Sequence, residues 1–339
     1  MNDIIFLLIS LAVILAGAEI FTNGIEWLGI KLNLSHGAVG SLLAAVGTAL
    51  PETMIPIIAI FMGGNHSAGH EIGIGAILGA PLMLSTLAML VTGVGVLAFA
   101  KKRKNGIEVS ADPMVMKRDL SYFLIFYTSA IFAGIFLAPP ALMKWRILLA
   151  VFLVIGYFVY AWETLNHQGE ACSDEDCRPL YITPKKVTPH MIAVIVQVII
   201  ALVLIVAGAK QFVGSVGNLA GQYGIPAFVL ALIIAPIATE LPEKFNSIIW
   251  VGQGKDTMAL GNITGAMVFQ GSLITAFGLA FTPWQLNTGG LVSGIITIIA
   301  AGFLYAIISY RKKISAPMLI AAGFLYIVFI MAVVQGVIR

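Results

Sequence analysis

Two short motifs in this chain place a glutamate directly after a proline, in the middle of otherwise apolar segments. Their sequences are Gly47-Thr48-Ala49-Leu50-Pro51-Glu52 and Ala238-Thr239-Glu240-Leu241-Pro242-Glu243. A carboxylate at the centre of a membrane helix costs about 2.5–3.5 kcal/mol on insertion scales, so Glu52 and Glu243 need a partner or a function. A bound cation would serve as both.

Each motif offers oxygen atoms besides its carboxylate. The proline has no N–H, so the carbonyl four residues earlier loses its helical hydrogen bond. The Thr and the Glu of each motif stand four apart, a spacing that places both side chains on one face of a helix. The candidate cation ligands are therefore Gly47, Thr48, Glu52, Ala238, Thr239 and Glu243.

All of these ligands are oxygens, which favours a hard cation. Ca²⁺ takes about six to eight oxygen ligands, and the carboxylates of Glu52 and Glu243 would balance its charge. Na⁺ and H⁺ stay open as coupling ions. No Cys lies in the apolar segments, and His66 and His70 are expected in a Gly-rich loop after the first motif. Zn²⁺ and Cu⁺, which prefer softer ligands, are therefore less favoured.

The composition places the motifs inside a membrane. Of the 339 residues, 59% are hydrophobic and 10% charged, whereas soluble domains carry about a quarter charged residues. Apolar runs long enough to cross a bilayer recur along the chain. They predict an all-α protein with about ten transmembrane helices, near 4–29, 36–62, 71–99, 120–138, 145–163, 190–220, 226–250, 257–281, 288–309 and 316–337. The first run has no basic leader or cleavage site and is interpreted as a retained helix.

Basic residues are distributed very unevenly among the connections between these segments. Fourteen Lys and Arg fall on one side and three on the other. The basic side should face the cytoplasm, which predicts a prokaryotic inner membrane protein with both termini outside. The net charge of +3 then needs no nucleic-acid partner. Connection 164–189 becomes cytoplasmic, where Cys172 and Cys177 should be free thiols, with a regulatory metal site as the weaker alternative.

The two halves of the chain repeat each other. An offset of 191 residues superposes Thr48 on Thr239 and Glu52 on Glu243, and an offset of 186 aligns Gly79 with Gly265. We expect repeats at 1–163 and 190–339, each with five helices. Since five is odd, the repeats are inverted, and such transporters bind substrate near the midplane where the repeats meet. One chain holds both motifs, so a monomer surrounded by lipid suffices.

Two rival functions follow from other features. One rival is an intramembrane metalloenzyme, which is suggested by the run His66-Ser67-Ala68-Gly69-His70-Glu71. The order of this run differs from the His-Glu-x-x-His pattern that places two ligands and a Glu on one helix. A passive cation channel is the second rival. Paired acids in inverted repeats suit alternating access better than open conduction, so we expect a transporter, not an enzyme, with no cofactor beyond the transported cation.

Both motifs resemble the paired signatures of the calcium/cation antiporter superfamily, which includes the sodium/calcium exchangers and usually reads Gly-Thr-Ser-Leu-Pro-Glu. The segments Gly75-Ala76-Ile77-Leu78-Gly79-Ala80 and Gly261-Asn262-Ile263-Thr264-Gly265-Ala266 resemble the helices that follow them. The resemblance implies the ten-helix inverted repeat, antiport of Ca²⁺ or a similar divalent cation against Na⁺ or H⁺, and ion binding by Thr48, Glu52, Thr239 and Glu243.

This chain also departs from the family pattern. Ala49 and Glu240 replace the usual Ser of the motifs, Ala80 and Ala266 replace further Ser residues, and Leu84 and Gln270 stand where Asn and Asp are common. Glu240 restores a third acid. Its proximity to Glu243 would favour proton coupling, unless it turns to another helix or a water-filled cavity. Gln270 is a further candidate ligand, with a helix–helix hydrogen bond as the alternative.

One charge-reversed pair lies at equivalent positions of the two repeats. Glu19 aligns with Lys210 at the offset of 191 residues. The two side chains either meet across the pseudo-two-fold axis or lie at separate water-filled mouths, and the sequence leaves both arrangements open.

Overall fold

The architecture is taken from a computed structural model of the chain. It describes residues 2–32, 38–62, 66–166, 178–183, 189–224, 227–311 and 313–335. The side chains of Glu243 and Ala238 lie outside this description, although their backbone does not. Cys172 and Cys177 fall outside it entirely, so the predictions for them stay predictions.

The described chain is almost entirely helical. Its α-helices are α1 (Asn2–Lys31), α2 (Ala45–Thr48), α3 (Leu50–Met62), α4 (His66–Met83), α5 (Met89–Phe99), α6 (Pro113–Phe136), α7 (Met143–Asn166), α8 (Met191–Tyr223), α9 (Ala227–Thr239), α10 (Leu241–Gly252), α11 (Asp256–Phe269), α12 (Thr275–Phe281), α13 (Thr288–Arg311) and α14 (Ala316–Val334). Three π-helical segments, Val39–Ala44, Leu84–Ala88 and Gln270–Ile274, continue these helices. A 3₁₀ turn, Pro140–Leu142, precedes α7, and two short strands, β1 (Glu108–Val109) and β2 (Ile314–Ser315), pair antiparallel.

These helices form the predicted membrane architecture of about ten spans in two inverted five-helix repeats. Within the described residues, eight helices are long and apolar enough to cross a membrane. The bent pair Gly40–Thr48 with Glu52–Phe61 makes a ninth. The consecutive helices α9 and α10 occupy the remaining predicted segment.

Two predicted boundaries are wrong. The fourth span begins at Pro113 instead of 120, because Asp112 caps it by accepting a hydrogen bond from the Met114 N–H at 2.8 Å. The polar first turns of α6 therefore belong to the helix. His66 and His70 lie in the first turns of α4, not in a loop, so a single glycine at 69 did not prevent helix formation.

Contacts between connections show which of them share a side of the membrane. In the connection after α5, Arg103 binds Asp256 at the start of α11 with two hydrogen bonds of 2.7 and 2.6 Å. The same connection carries β1, which pairs with β2 before α14. On the opposite side, Arg146 at the start of α7 donates to the carbonyl of Pro283. The basic connections therefore lie together.

The long helices α1 and α8 pack along each other and share a short strap, residues 178–183. Asn23 and Trp27 donate to the Arg178 carbonyl at 3.2 and 2.9 Å. Glu19 is exposed and pairs with Arg178 at 3.3 Å, while Lys210 is exposed on α8. Glu19 therefore finds its partner in the strap, and the two equivalent charges do not form a pair with each other.

The two halves interlock through small residues. In the first half, a Cβ at Gly79 of α4 would overlap the backbone of Leu232 and the ring of Pro236 in α9. In the second half, a Cβ at Gly265 of α11 would overlap the backbone of Ser41. These glycines are equivalent in the repeat, so the third span of each half packs directly on the second span of the other half.

Candidate cation site

Both motifs interrupt their helices. The first break separates α2, which ends at Thr48, from α3, and the combined span bends by 47°. The second separates α9, which ends at Thr239, from α10, with Glu240 between them at φ −84° and ψ 7°. Each proline is the second residue of the following helix, where a missing N–H leaves no helical bond unmade. The sequence placed both breaks correctly.

The breaks change how the motif residues relate to each other. The Thr and the Glu of each motif belong to different helical segments, not to one uninterrupted helix as the spacing indicated. Glu52 lies in the first turn of α3, and the backbone of Glu243 lies in the first turn of α10. Free N–H groups at a helix start stabilise a nearby carboxylate. Gly47 and Ala238, whose carbonyls were predicted as ligands, lie in the last turns of α2 and α9.

The two breaks meet in space. The helix α2 contacts α10, and α3 contacts α9. Glu52 is 5% exposed and Glu240 is fully buried, and the two carboxylates are close enough to interact electrostatically. Thr239 from the second motif approaches the Glu52 carboxylate of the first. Glu52 from the first half and Thr239 and Glu240 from the second half therefore lie in one buried region.

The carboxylate oxygens of this region are largely unpartnered. Neither oxygen of Glu52 has a hydrogen bond among the described side chains, and the same holds for Oε1 of Glu240. Burying such groups without partners is costly. Three amide atoms on α11 and the segment after it are also buried without partners: Nδ2 of Asn262 and both amide atoms of Gln270.

A lysine that the sequence reasoning missed lies beside these acids. Lys244 is 7% exposed, and its Nζ lies 3.2 Å from Oε2 of Glu240. Its charge also acts on Glu52. Because Glu240 has a cation as its neighbour, the expected repulsion between Glu240 and Glu243 is partly offset. A lysine within an apolar span is itself a signal of function. The sequence-based site contained only acids, threonines, carbonyls and Gln270, and so it omitted Lys244.

Asn262 is a second residue that the ligand predictions omitted. The Thr48 hydroxyl donates to its Oδ1 at 3.3 Å, and the side chain is fully buried.

Gln270 follows Asn262 eight residues later, about 12 Å further along the span at 1.5 Å per residue. Neither amide atom of Gln270 makes a hydrogen bond within the described residues, so the alternative helix–helix hydrogen bond is not formed there, and its role as a cation ligand stays a prediction. Gln270 begins a π-helical segment, as Leu84 does at the equivalent position of the first repeat.

The family of the chain follows from a match to a family model. The model described as sodium/calcium exchanger protein matches residues 3–165 and again residues 193–335, so it covers most of both halves. This chain belongs to the sodium/calcium exchanger family. It is accordingly an integral multi-pass membrane protein that exchanges inorganic cations, and it is not an enzyme.

Similar proteins support the same membership. The putative antiporter CaxA of Alkalimonas amylolytica is 24% identical over 311 residues, covering 91% of this chain and 89% of CaxA. The sodium/calcium exchanger MaX1 of Methanosarcina acetivorans is 23% identical over 309 residues, with 83% of each chain covered. The exchanger therefore matches its relatives over nearly their whole length.

Two solved structures share the fold. The H⁺/Ca²⁺ exchanger CAX superposes with a TM-score of 0.78 at 16% identity, covering 98% of this chain and 82% of CAX. The sodium-calcium exchanger NCX_Mj superposes with a TM-score of 0.65 at 23% identity, covering 98% of both chains. The TM-score is higher for CAX, whereas the sequence identity is higher for NCX_Mj.

Another buried carboxylate, outside both motifs, was also missed in the sequence. Asp119 of α6 is fully buried and accepts hydrogen bonds from Ser41 at 3.0 Å, Thr264 at 2.8 Å and Tyr160 at 3.1 Å. Arg118 pairs with it at 3.0 Å. Asp119 joins α6 to the π-helical segment Val39–Ala44, to α7 and to α11. It therefore holds together the spans that carry Thr48 and Asn262.

Proposed function

We propose that this exchanger moves Ca²⁺, or a similar divalent cation, against Na⁺ or H⁺ by alternating access, from a site between the two Leu-Pro-Glu motifs. The observation that supports the proposal is a set of unpartnered buried carboxylate oxygens, both from Glu52 and one from Glu240, where two helix breaks meet. A buried carboxylate without a partner is stable only if it neutralises or binds a cation. A transported cation supplies the missing interaction during part of the cycle.

The available ligands support a hard divalent cation. All candidate donors are oxygens, and two or three carboxylates match the double charge and high coordination number of Ca²⁺. The proposed ligands are Gly47, Thr48, Glu52, Ala238, Thr239, Glu240 and Glu243, with Gln270 as a further one. Glu52 and Glu243 are the principal metal ligands of this proposal, and Glu240 is the third acid.

A proton-coupled exchanger is the second candidate, and the loss of polar side chains favours it. At four positions where polar residues are common in the family, buried apolar side chains stand instead: Ala49, Ala80, Leu84 and Ala266. Each lacks an oxygen that a Na⁺ ion would need. Fewer sodium ligands leave the carboxylates themselves, which bind H⁺ without further donors.

Separate ion gradients distinguish these candidates. We expect everted membrane vesicles containing the exchanger to accumulate ⁴⁵Ca²⁺ when a gradient of H⁺ or of Na⁺ alone is imposed. The driving gradient identifies the coupling ion. If neither gradient moved Ca²⁺ while another divalent cation was transported, the assignment of Ca²⁺ would be wrong. Flux that persisted without any counter-ion gradient would indicate a channel.

We further propose that the exchanger lies in a prokaryotic cytoplasmic membrane with both termini outside, where a monomer among lipids suffices for function. The clustering of the basic connections on one side supports this orientation. The two cysteines of the chain, Cys172 and Cys177, provide the test. A membrane-impermeant maleimide should label them in everted vesicles and not in right-side-out vesicles, and the reverse pattern would invert the topology.

A further inference from the structure

We propose that Asn262 is a positioning residue of the cation site. Its side-chain oxygen takes the hydrogen of the Thr48 hydroxyl and so leaves that hydroxyl to coordinate the cation through its oxygen. This inference rests on the proposed function, in which Thr48 is a cation ligand. It adds a residue on α11 that binds no ion itself and acts through Thr48.

The direction of the hydrogen bond between Thr48 and Asn262 decides what the hydroxyl can do. A hydroxyl group has one hydrogen and two lone pairs, and a cation is attracted by the lone pairs and repelled by the hydrogen. The Thr48 hydroxyl donates its hydrogen to Oδ1 of Asn262 at 3.3 Å, so it acts as an acceptor in its other contacts. Groups that hydrogen-bond a metal ligand fix its orientation in the same way.

The packing of α11 fixes the amide beside Thr48. Asn262 lies between Gly261 and Gly265. A Cβ at Gly261 would lie 3.0 Å from Oγ of Ser41, and a Cβ at Gly265 would overlap the Ser41 backbone. The span that carries Thr48 therefore runs in close contact with α11. Thr48 and Asn262 are both fully buried, so bulk water does not compete for the hydroxyl.

A second buried amide shows what a structural asparagine looks like in this protein. Asn23 of α1 uses both ends of its side chain, because Nδ2 donates to the Arg178 carbonyl at 3.2 Å and Oδ1 accepts from Nε2 of Gln197 at 2.9 Å. On Asn262, Nδ2 is buried and makes no hydrogen bond among the described residues. A leucine of similar size would leave no buried nitrogen without a partner. Packing alone therefore does not explain the amide, whereas its contact with Thr48 does.

The two halves of the chain differ at this position. At the offset of 186 residues Asn262 aligns with Ala76, whose methyl group cannot accept a hydrogen bond. Thr239, the equivalent of Thr48, instead approaches the Glu52 carboxylate. Thr239 therefore provides a matched control. It is a proposed ligand as well, but Asn262 should act only through Thr48.

The experiment is a double-mutant cycle on the KM for Ca²⁺, measured as ⁴⁵Ca²⁺ uptake by the purified full-length exchanger in proteoliposomes. Asn262→Leu keeps the side-chain size and removes the acceptor, and Thr48→Val keeps the shape and removes the hydroxyl. We expect each single variant to raise KM about threefold to tenfold, the factor that one hydrogen bond contributes, with kcat close to wild type. The double variant should have the KM of Thr48→Val alone, because Asn262 has then lost the group through which it acts.

Two further variants control for position and for packing. Thr239→Val combined with Asn262→Leu should multiply the two single effects on KM. Ser247→Ala removes another buried hydrogen bond of α11, from Ser247 Oγ to the Ala259 carbonyl at 3.2 Å, and should leave KM unchanged. The rise of the thermal midpoint on addition of Ca²⁺ in detergent reports binding without transport, and it should follow the same cycle.

Three results would overturn the inference. The first is a pair of KM effects for Asn262→Leu and Thr48→Val that multiply in the double variant. The second is a wild-type KM in Thr48→Val, which is measurable even if Asn262→Leu does not fold. The third is that neither Asn262→Leu nor Asn262→Ala folds, which would make the residue structural. Failure of the proposed function has a different signature, since wild type would then show no Ca²⁺ flux under either gradient.

Discussion

Glu52 and Asp119 are both carboxylates buried in the same membrane protein, but their surroundings are opposite. Asp119 accepts hydrogen bonds from three hydroxyl groups and pairs with Arg118. Neither oxygen of Glu52 has a hydrogen bond among the described side chains. Burial alone therefore does not separate a functional acid from a structural one.

The difference between the two acids lies in what completes their hydrogen bonds. The protein itself satisfies Asp119, which lets that carboxylate join four parts of the bundle in one fixed arrangement. Glu52 stands at a helix break, in the first turn of α3, and a second buried carboxylate, Glu240, lies close to it. We propose that a transported cation is the ligand that completes the coordination of this carboxylate. Mutations at the two positions should therefore separate transport from stability.

The largest effect is expected from Glu52→Gln. This change removes one of the acids that we propose as cation ligands, and truncating one member of a buried charge pair costs about 2–5 kcal/mol or more. We expect exchange to fall by at least about thirtyfold, as measured by ⁴⁵Ca²⁺ uptake into proteoliposomes.

The fold should survive the Glu52→Gln substitution, because the carboxylate makes no hydrogen bond that the protein loses. The thermal midpoint without Ca²⁺ should stay the same or rise, and stabilisation by added Ca²⁺ should disappear. The matched control Glu71→Gln, at an exposed position of α4, should transport normally. Substantial exchange by Glu52→Gln would contradict the proposed cation site.

The second largest effect is expected from Asp119→Ala, and it should be on stability. Without the carboxylate, Arg118 and three hydroxyl groups lose their acceptor, and breaking a buried pair costs about 3–5 kcal/mol. We expect a clearly lower thermal midpoint in detergent, while transport per folded molecule stays within about tenfold of wild type. An unchanged midpoint with lost transport would place Asp119 in the ion pathway instead.

A smaller loss of stability is expected from Gly265→Ala. The added methyl group would overlap the backbone of Ser41, which belongs to the Asp119 cluster. Overpacking of this kind costs about 1–3 kcal/mol, which thermal unfolding would detect. Gly214→Ala is the control, because no atom lies within 4 Å of that position. Equal effects at both glycines would mean that the close approach at Gly265 is not tight.

The smallest effect is expected from Gln270→Leu. Its amide makes no hydrogen bond within the described structure, so the change removes at most one ligand and leaves no new partner unsatisfied. A single hydrogen bond contributes about 0.5–1.5 kcal/mol, which predicts a change in apparent Ca²⁺ affinity of at most about tenfold. A larger loss would make Gln270 a principal ligand, and an unchanged affinity would remove it from the site.

The spans and the helix breaks could be predicted from the sequence because their signals are local. Apolar length defines a span, and each Leu-Pro-Glu motif carries its own proline. The exception was α6, where the charged residues Lys117, Arg118 and Asp119 suggested a loop. They are tolerated inside the helix because Asp119 finds partners on three other segments, and those contacts depend on tertiary packing that a single segment does not reveal.

The ligand set was only partly predictable for the same reason. Thr48, Glu52, Thr239 and Glu240 were identified from one motif and its repeat, and the structure gathers them in one buried region. Asn262 and Lys244 were missed. Asn262 matters through its contact with Thr48, which is 214 residues away along the chain. Lys244 could have been identified from the sequence, because a lysine directly after an acidic motif in an apolar segment is itself a signal of function.

The interlocked glycines have a consequence for how the exchanger is made. The second span of each half packs on the third span of the other half, so the span that carries Thr48 and Glu52 lacks its final packing partner until α11 has been synthesised. At about 5–20 residues per second, the ribosome needs roughly 10–40 seconds to travel from position 52 to position 265. During that interval the first half lies in the membrane without its packing partner on α11. The native contacts around the first motif can therefore form only after the second half has been made.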